Sequence, residues 1–301
     1  MTISRSTLIQ ALWPGVHAWI MDDYNKHPTE YTQIFDMRSS KMAEEKIAAA
    51  SGFGLAHRKE EGASTEYEDI LAGPTSRFTH VAYSLGFIIT REALDDNLYH
   101  SMADVGKRNL TFSFRTTKEM VAANVLNRGF NTSYVYGDGK PVLAADHPTP
   151  VGSQSNVLGT AADLSEASLE AMLTQIDTAT NSKGLPIAIK AEKLVISPAM
   201  RFAAERLLKS TLRSGGDFND VNAFRSLGVL PGGYVVNHYL TDPDAWFVLT
   251  DVPNGLIGFN RTPFEFKRDN DFDTDNLKAK GFERYSFGLG DWRAIYGTPG
   301  A

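Results

Sequence analysis

Apolar and polar positions alternate most regularly in the stretch FTHVAYSLGFIIT. Val81, Tyr83, Leu85, Phe87 and Ile89 share one side, and Ala82, Ser84, Gly86 and Ile88 the other. Period two over that length, in β-branched and aromatic residues, predicts a strand. Immediately afterwards the period changes. From Thr90 to Gly129, Leu94, Leu98, Met102, Val105, Leu110, Phe114, Val121 and Val125 recur mostly at gaps of three, four and seven, without proline. That spacing lays one stripe along a helix. Thr90 is its expected N-cap, Glu92 suits the positive end of its dipole, and Gly129 is placed to end it in a left-handed conformation. Such a rod is about 58 Å long, far beyond three or four turns. Gly106 is where a bend is expected.

The remaining pattern is read around that spine. Residues 1–28 form an arm or first helix kinked at Pro14–Gly15, whose Trp13, Trp19, Ile20 and Tyr24 need a partner surface. A short strand is predicted over Tyr31–Arg38, and MAEEKIAAAS reads as a polar link. His57–Arg77 is rich in charge and turn residues and cannot bury itself. With the strand that follows, it predicts a long hairpin whose outer part projects and touches a neighbour. Val135–Val157 is turn-rich. Asp163-Leu-Ser-Glu166 matches a capping box opening a helix with Leu169, Met172, Leu173 and Ile176 on one side. A strand at Lys193–Ser197 leads to a helix with Ser197 as N-cap and Pro198 at the first position. Strands follow at Tyr234–Tyr239, Trp246–Thr250 and Leu256–Asn260, so residues 140–261 predict an α/β or α+β module. Pro263–Gly297 reads as two or three strands around an acidic turn.

Composition narrows the chemistry. The 301 residues are 42% hydrophobic and 22% charged, ordinary for a soluble globular protein, and the net charge of −6 disfavours a protein built to grip nucleic acid. Cysteine is absent, which excludes disulfides, thiolate metal sites and a cysteine nucleophile. The N-terminal stretch lacks a continuous apolar core with a cleavage site, and no window offers the roughly 18 apolar residues of a membrane span. The expectation is a soluble protein made and kept inside a cell, or packed into something built there. GDGK at Gly137–Lys140 lacks the first glycine and the following hydroxyl of a phosphate loop, and Pro141 follows instead. Asp269–Asp275 has alternating carboxylates, but Thr274 and Lys280 stand where a calcium loop needs Gly and Glu. The seven histidines never stand at metal-ligand spacing. No catalytic residue, cofactor site or metal site is predicted.

The order of segments, arm, charged hairpin, spine helix, α/β module and closing strands, resembles the major capsid proteins of tailed bacteriophages, the Hong Kong 97 fold. SGFGLAHRKEEGASTEYED (Ser51–Asp69), SLGFIITREALDDNLY (Ser84–Tyr99), TKEMVAANVLNRGF (Thr117–Phe130), DGKPVLAADHPTP (Asp138–Pro150) and FERYSFGLGDWRAIYG (Phe282–Gly297) are similar to the Mu-like major head subunit group. The resemblance implies an α+β capsid fold with an N-terminal arm (1–28), a first peripheral part (29–51) and an extended hairpin loop (52–86). It further implies a spine helix with peripheral domain (87–139), an axial domain (140–261) and C-terminal peripheral strands (262–301). The implied function is a major capsid protein forming pentamers and hexamers of an icosahedral shell around double-stranded DNA. It would be assembled in the host cytoplasm with separate scaffolding, portal and decoration proteins, without sequence-specific DNA binding or a membrane. Trp13, Trp19, Arg58, Lys59, Glu60, Glu61, Glu66 and Tyr67 are the expected inter-subunit contacts. Some members cross-link a hairpin lysine; Lys59 is the only lysine there, and non-covalent contacts are expected. Two alternatives stand beside this: an encapsulin-type compartment shell, and a soluble hydrolase using His147 and Asp146.

Overall fold

The computed structural model describes residue 24 and residues 28–50, 52–62, 64–69, 72–95, 99–212, 221–271 and 273–301. In chain order the strands are β1 (Asp36–Ser39), β2 (Glu44–Ala50), β3 (Ala72–Thr79), β4 (Val81–Ile89), β5 (His147–Thr149), β6 (Gly152–Gln154), β7 (Ala191–Ile196), β8 (Tyr234–Val236), β9 (Trp246–Thr250), β10 (Leu256–Asn270), β11 (Leu277–Leu289) and β12 (Ile295–Thr298). Two four-stranded sheets organise them, ordered β1-β10-β11-β4 and β12-β9-β7-β8, with β2-β3 and β5-β6 as separate pairs.

The spine forms, in two described pieces. A short helix spans Arg91–Asp95 and the long helix spans Tyr99–Asn127, 29 residues, about 44 Å; residues 96–98 lie outside the described residues. The amide of Ala93 donates to Thr90 Oγ1 at 3.4 Å, the cap expected of Thr90. Helix continues through Gly106, where a side chain would stand 3.2 Å from the ring of Phe87 on β4. Glycine there serves close packing between helix and strand. Gly129 does not take the left-handed conformation expected of it; a side chain would stand 2.9 Å from the Leu126 carbonyl oxygen.

Leu110 and Phe114 from the helix stripe pack on Phe264, Phe266 and Ala279 of the first sheet. About three turns further on, Val125 and Leu126 join Val142, Leu143, Phe247, Leu289 and Trp292 in a core shared by both sheets. Strand β9 is buried along its whole length. Its Phe247 and Leu249 face that shared core, while Trp246 and Val248 face Leu169, Met172 and Ile176 of the helix Glu166–Asp177. Period-two alternation lets one continuous apolar strand serve two layers. The other helices, Arg201–Lys209 and Ala223–Leu227, flank the same sheet.

Several local expectations are corrected. Tyr31–Gln33 is a 3₁₀ turn, and only Asp36–Ser39 is strand, because the Glu119 carboxylate takes the amides of Glu30 and Tyr31. The supposed polar link is β2, paired antiparallel with β3. The hairpin arms are therefore β2 and β3, and the alternating β4 instead forms one edge of the first sheet. The helix at Glu166 is capped by Ser165 with Ser168 reciprocating, not by Asp163 with Glu166. Ser197 stands at the N-cap position with Pro198 following, as expected, but its hydroxyl donates to the Pro243 carbonyl at 2.7 Å and makes no cap hydrogen bond. Strand β10 runs past Pro263 to Asn270. Its pairing with β1 ends at Asn260 and its register with β11 shifts on either side of Thr262, so the missing proline N–H falls at an irregularity. After residue 262, β10 and β11 complete the first sheet, but β12 crosses to the second.

Candidate interaction surface

The hairpin is rigid at its root. Phe78 is buried edge-on against Phe259, with ring centroids 5.1 Å apart. His80, buried between β3 and β4, bridges Ser286 Oγ and Ser40 Oγ at 3.0 Å each. Burial pushes the His80 pKa down, with the Arg284 charge adding to the effect. At Gly137 a side chain would stand 2.7 Å from the backbone of Thr75 and Ser76. The GDGK turn is thus pressed against the hairpin base, and its glycine permits the approach. Along the arms, Arg77 pairs with Glu44 across the strands.

The tip between β2 and β3 is the opposite. Arg58, Lys59, Glu60, Glu61, Glu66 and Tyr67 are all exposed and outside any strand or helix, with Tyr67 93% accessible. The structure places them in one exposed loop between β2 and β3; Trp13 and Trp19 lie outside the described residues. His57 Nε2 stands 3.4 Å from Glu66. Glu68, not foreseen as a contact, accepts the Gly54 amide at 2.6 Å and meets Lys183 Nζ at 3.3 Å. The Gly54 amide, then Lys183, lower its carboxyl below the ordinary 4.5. Phe53 and Leu55 are exposed beside it. Sequence spacing could not reveal Glu68, because Lys183 is distant in the chain.

The root of the arm is anchored. Tyr24 stacks on Phe264 with centroids 4.8 Å apart and its hydroxyl donates to Glu283 Oε1. Glu283 is fully buried, with Lys118 Nζ at 3.7 Å. Burial raises the Glu283 pKa and lowers that of Lys118, and each opposes the other's shift. Tyr31 is pushed up to about 12 by burial, with Glu283 adding to it. The Lys118 ammonium lies over the rings of Tyr285 and Tyr31 at 5.0 and 5.6 Å. Glu30 takes the amide and Nδ1 of His238 at 2.9 and 2.6 Å. Tyr24, Glu30 and Tyr31 therefore tie the arm root to the first sheet, the long helix and the turn after β8.

The residues proposed for hydrolysis do not form a dyad. His147 is completely buried, with Nδ1 2.6 Å from Asp138 Oδ2 and Nε2 3.1 Å from Asn156 Oδ1, and its ring stacks on Trp292. Asp146 pairs instead with Lys140. Asn156 closes this corner: its side chain accepts from Ala144 N and donates to the carbonyls of Val142, Ile295 and Trp292. A group with no exposure meets no substrate. The acidic turn is likewise internally bonded, Asp271 taking Lys278 Nζ and Thr274 Oγ1 at 2.8 Å and Asp275 pairing with Arg91 at 2.9 Å. Among the described residues no group of three or more His, Cys, Asp or Glu could hold a metal ion, and no helix is long and apolar enough to cross a membrane.

Residues 74–298 match the model of a family described as phage capsid protein. The fold is similar to the solved capsid of a native GTA particle (13% identity, 89% of each chain covered, TM-score 0.57). It is also similar to a virus-like particle from Pyrococcus furiosus (13% identity, 93% of this chain and 95% of that one, TM-score 0.51). A third structure, from Mycobacterium phage Che8, agrees at 16% identity over 93% of this chain and 92% of that one, with a TM-score of 0.50. No curated protein matches the sequence. The fold is the α+β shell fold of those particles.

Proposed function

We propose, from the premise that this chain belongs to the phage capsid protein family, that many copies of it close an icosahedral head around double-stranded DNA. It is a major capsid protein, and its work is done by contact. The arm of residues 1–28 and the hairpin loop reach neighbouring subunits. The first sheet with the long helix forms a peripheral domain, and residues 140–261, joined by β12, form an axial domain that gathers around fivefold and sixfold axes. Trp13, Trp19, Arg58, Lys59, Glu60, Glu61, Glu66 and Tyr67 are the contacts we assign. Scaffolding, portal and decoration proteins act beside it, and assembly takes place in the host cytoplasm. Its role is structural, without catalysis.

The observation that carries the contact role is the hairpin tip: an exposed, highly charged loop held on a rigid root. A loop whose charged residues 58–61 and 66 lie exposed, while its base is fixed by a buried histidine and edge-on aromatics, is positioned for another surface. A cargo-holding compartment shell shares this fold, and nothing in the sequence or geometry favours it. Electron microscopy of the purified protein tests the reading. Closed particles, or rings of five or six, are expected; a stable monomer or dimer under all conditions contradicts it. Particles isolated from the native source are expected to contain DNA.

A further inference from the structure

We infer that the open edge of β4 is completed by the extended segment Gly52–Arg58 from the hairpin tip of a second copy. The inference rests on the shell reading and names the surface that the tip engages. Strand β4 pairs with β11 through nine successive residues without a register break. Among the described residues nothing pairs with its outer edge. That edge, VAYSLGFII, carries no charge and no proline, and Val81, Leu85 and Ile88 are 50%, 47% and 59% exposed. Natural sheets protect long uncharged edges with charge, proline, bulges or a cover, because the free N–H and C=O groups recruit another strand. β4 has none of these protections within its own length.

The matching half is on the same chain. Residues 52–59 lie outside any strand or helix and make no backbone–backbone hydrogen bond among the described residues. Phe53 and Leu55, 55% and 74% exposed, alternate along them as strand residues do. An unpaired segment with period-two apolar side chains and an unpaired edge are the two halves of strand addition. They do not meet within one subunit. The eight residues of β3 carry the tip about 26 Å from Val81, and Glu68 rests it beside Lys183 near the second sheet. A second copy is the occupant that supplies the same segment at the required place.

Because the chain has no cysteine, engineered thiols report this pairing without background. Leu55→Cys chains are mixed with Val81→Cys, Ser84→Cys or Leu85→Cys chains, assembled and oxidised. Side chains alternate across a strand, so cross-linked dimers are expected at one parity only. They should form with Ser84→Cys alone, or with Val81→Cys or Leu85→Cys alone, at least ten-fold above the other parity. Particles without dimers at any position, or equal yields at both parities, overturn the pairing while the shell reading survives. Dimers formed with Trp13→Cys in place of Leu55→Cys assign the edge to the arm and also overturn it. Absence of particles from the unmodified protein overturns both readings. Hydrogen exchange on that unmodified protein is the second measurement: β4 amides are expected to gain protection of ten-fold or more on assembly, and unchanged protection contradicts the inference.

Discussion

Two turn-rich passages of this chain, residues 135–157 and residues 52–69, resemble each other as sequence and differ completely as structure. Both are polar, glycine-containing and charged. The first folds inward around Val142, Leu143 and Ala144, and Asn156, Asp138 and His147 supply the hydrogen bonds that its buried backbone and side chains need. The second has no apolar run that reaches a core and stays outside, with the Gly54 amide held by Glu68. The difference separates a passage that the chain buries by itself from one that it leaves exposed, the one we propose for contact with another subunit. Polar groups can be buried when each finds a partner; a loop without an apolar anchor has nothing to draw it in.

The inward corner should break first. Asn156→Ala removes partners from Ala144 N, His147 and three carbonyls at once. Leaving buried groups unsatisfied costs about 1–3 kcal/mol each, so a loss of about 5 kcal/mol or more is expected, read as a lower midpoint in urea. A loss below about 1 kcal/mol would mean that the corner is not a closed network. Gly137→Ala tests the seam between the two passages. The added carbon would stand 2.7 Å from the backbone of Thr75 and Ser76, and the required shift should cost about 1–3 kcal/mol and disturb amide shifts in β3. Undisturbed β3 resonances would show that the turn does not press on the hairpin.

The smallest effect belongs to the tip. Glu68 has a carboxyl lowered below 4.5 in the folded chain, so its contribution is fully present above that value. The contribution is lost as pH falls through the depressed folded value. The Gly54 amide shift should therefore titrate with a midpoint below 4.5, while global stability hardly responds because the group is exposed. A midpoint at or above 4.5 would remove the Glu68–Gly54 contact.

Much of the frame was legible in the residues. The 3.6-residue stripe marked the long helix, and the Asp-Pro and Pro-Asn-Gly turns on either side marked β9, because both are local signals. The hairpin's identity was obscured because EEKIAAA offers one large apolar residue, Ile47, and its pairing with β3 is set by Glu44–Arg77 and by the buried root. Pro263 looked like a strand end, since its tolerance depends on where β1 stops beside it. The candidate surface was partly legible. Charge and exposure of residues 58–67 followed from composition, whereas the open edge of β4 depends on sheet order, which alternation cannot specify. His147, in its Asp-His-Pro turn, reads as a hydrogen-bonding loop residue and is one; the hydrolase alternative set Asp146 beside it, but Asp138 and Asn156 meet it instead.

Deleting Arg58–Glu68 tests most directly whether the tip exists for other subunits. The account predicts an unchanged circular dichroism spectrum and an unfolding midpoint within about 0.5 kcal/mol of the parent, as for surface changes away from buried features. Electron microscopy of the same preparation should show no closed particles, or particles of altered form. A folded deletion variant that builds shells identical to the parent's would contradict the account.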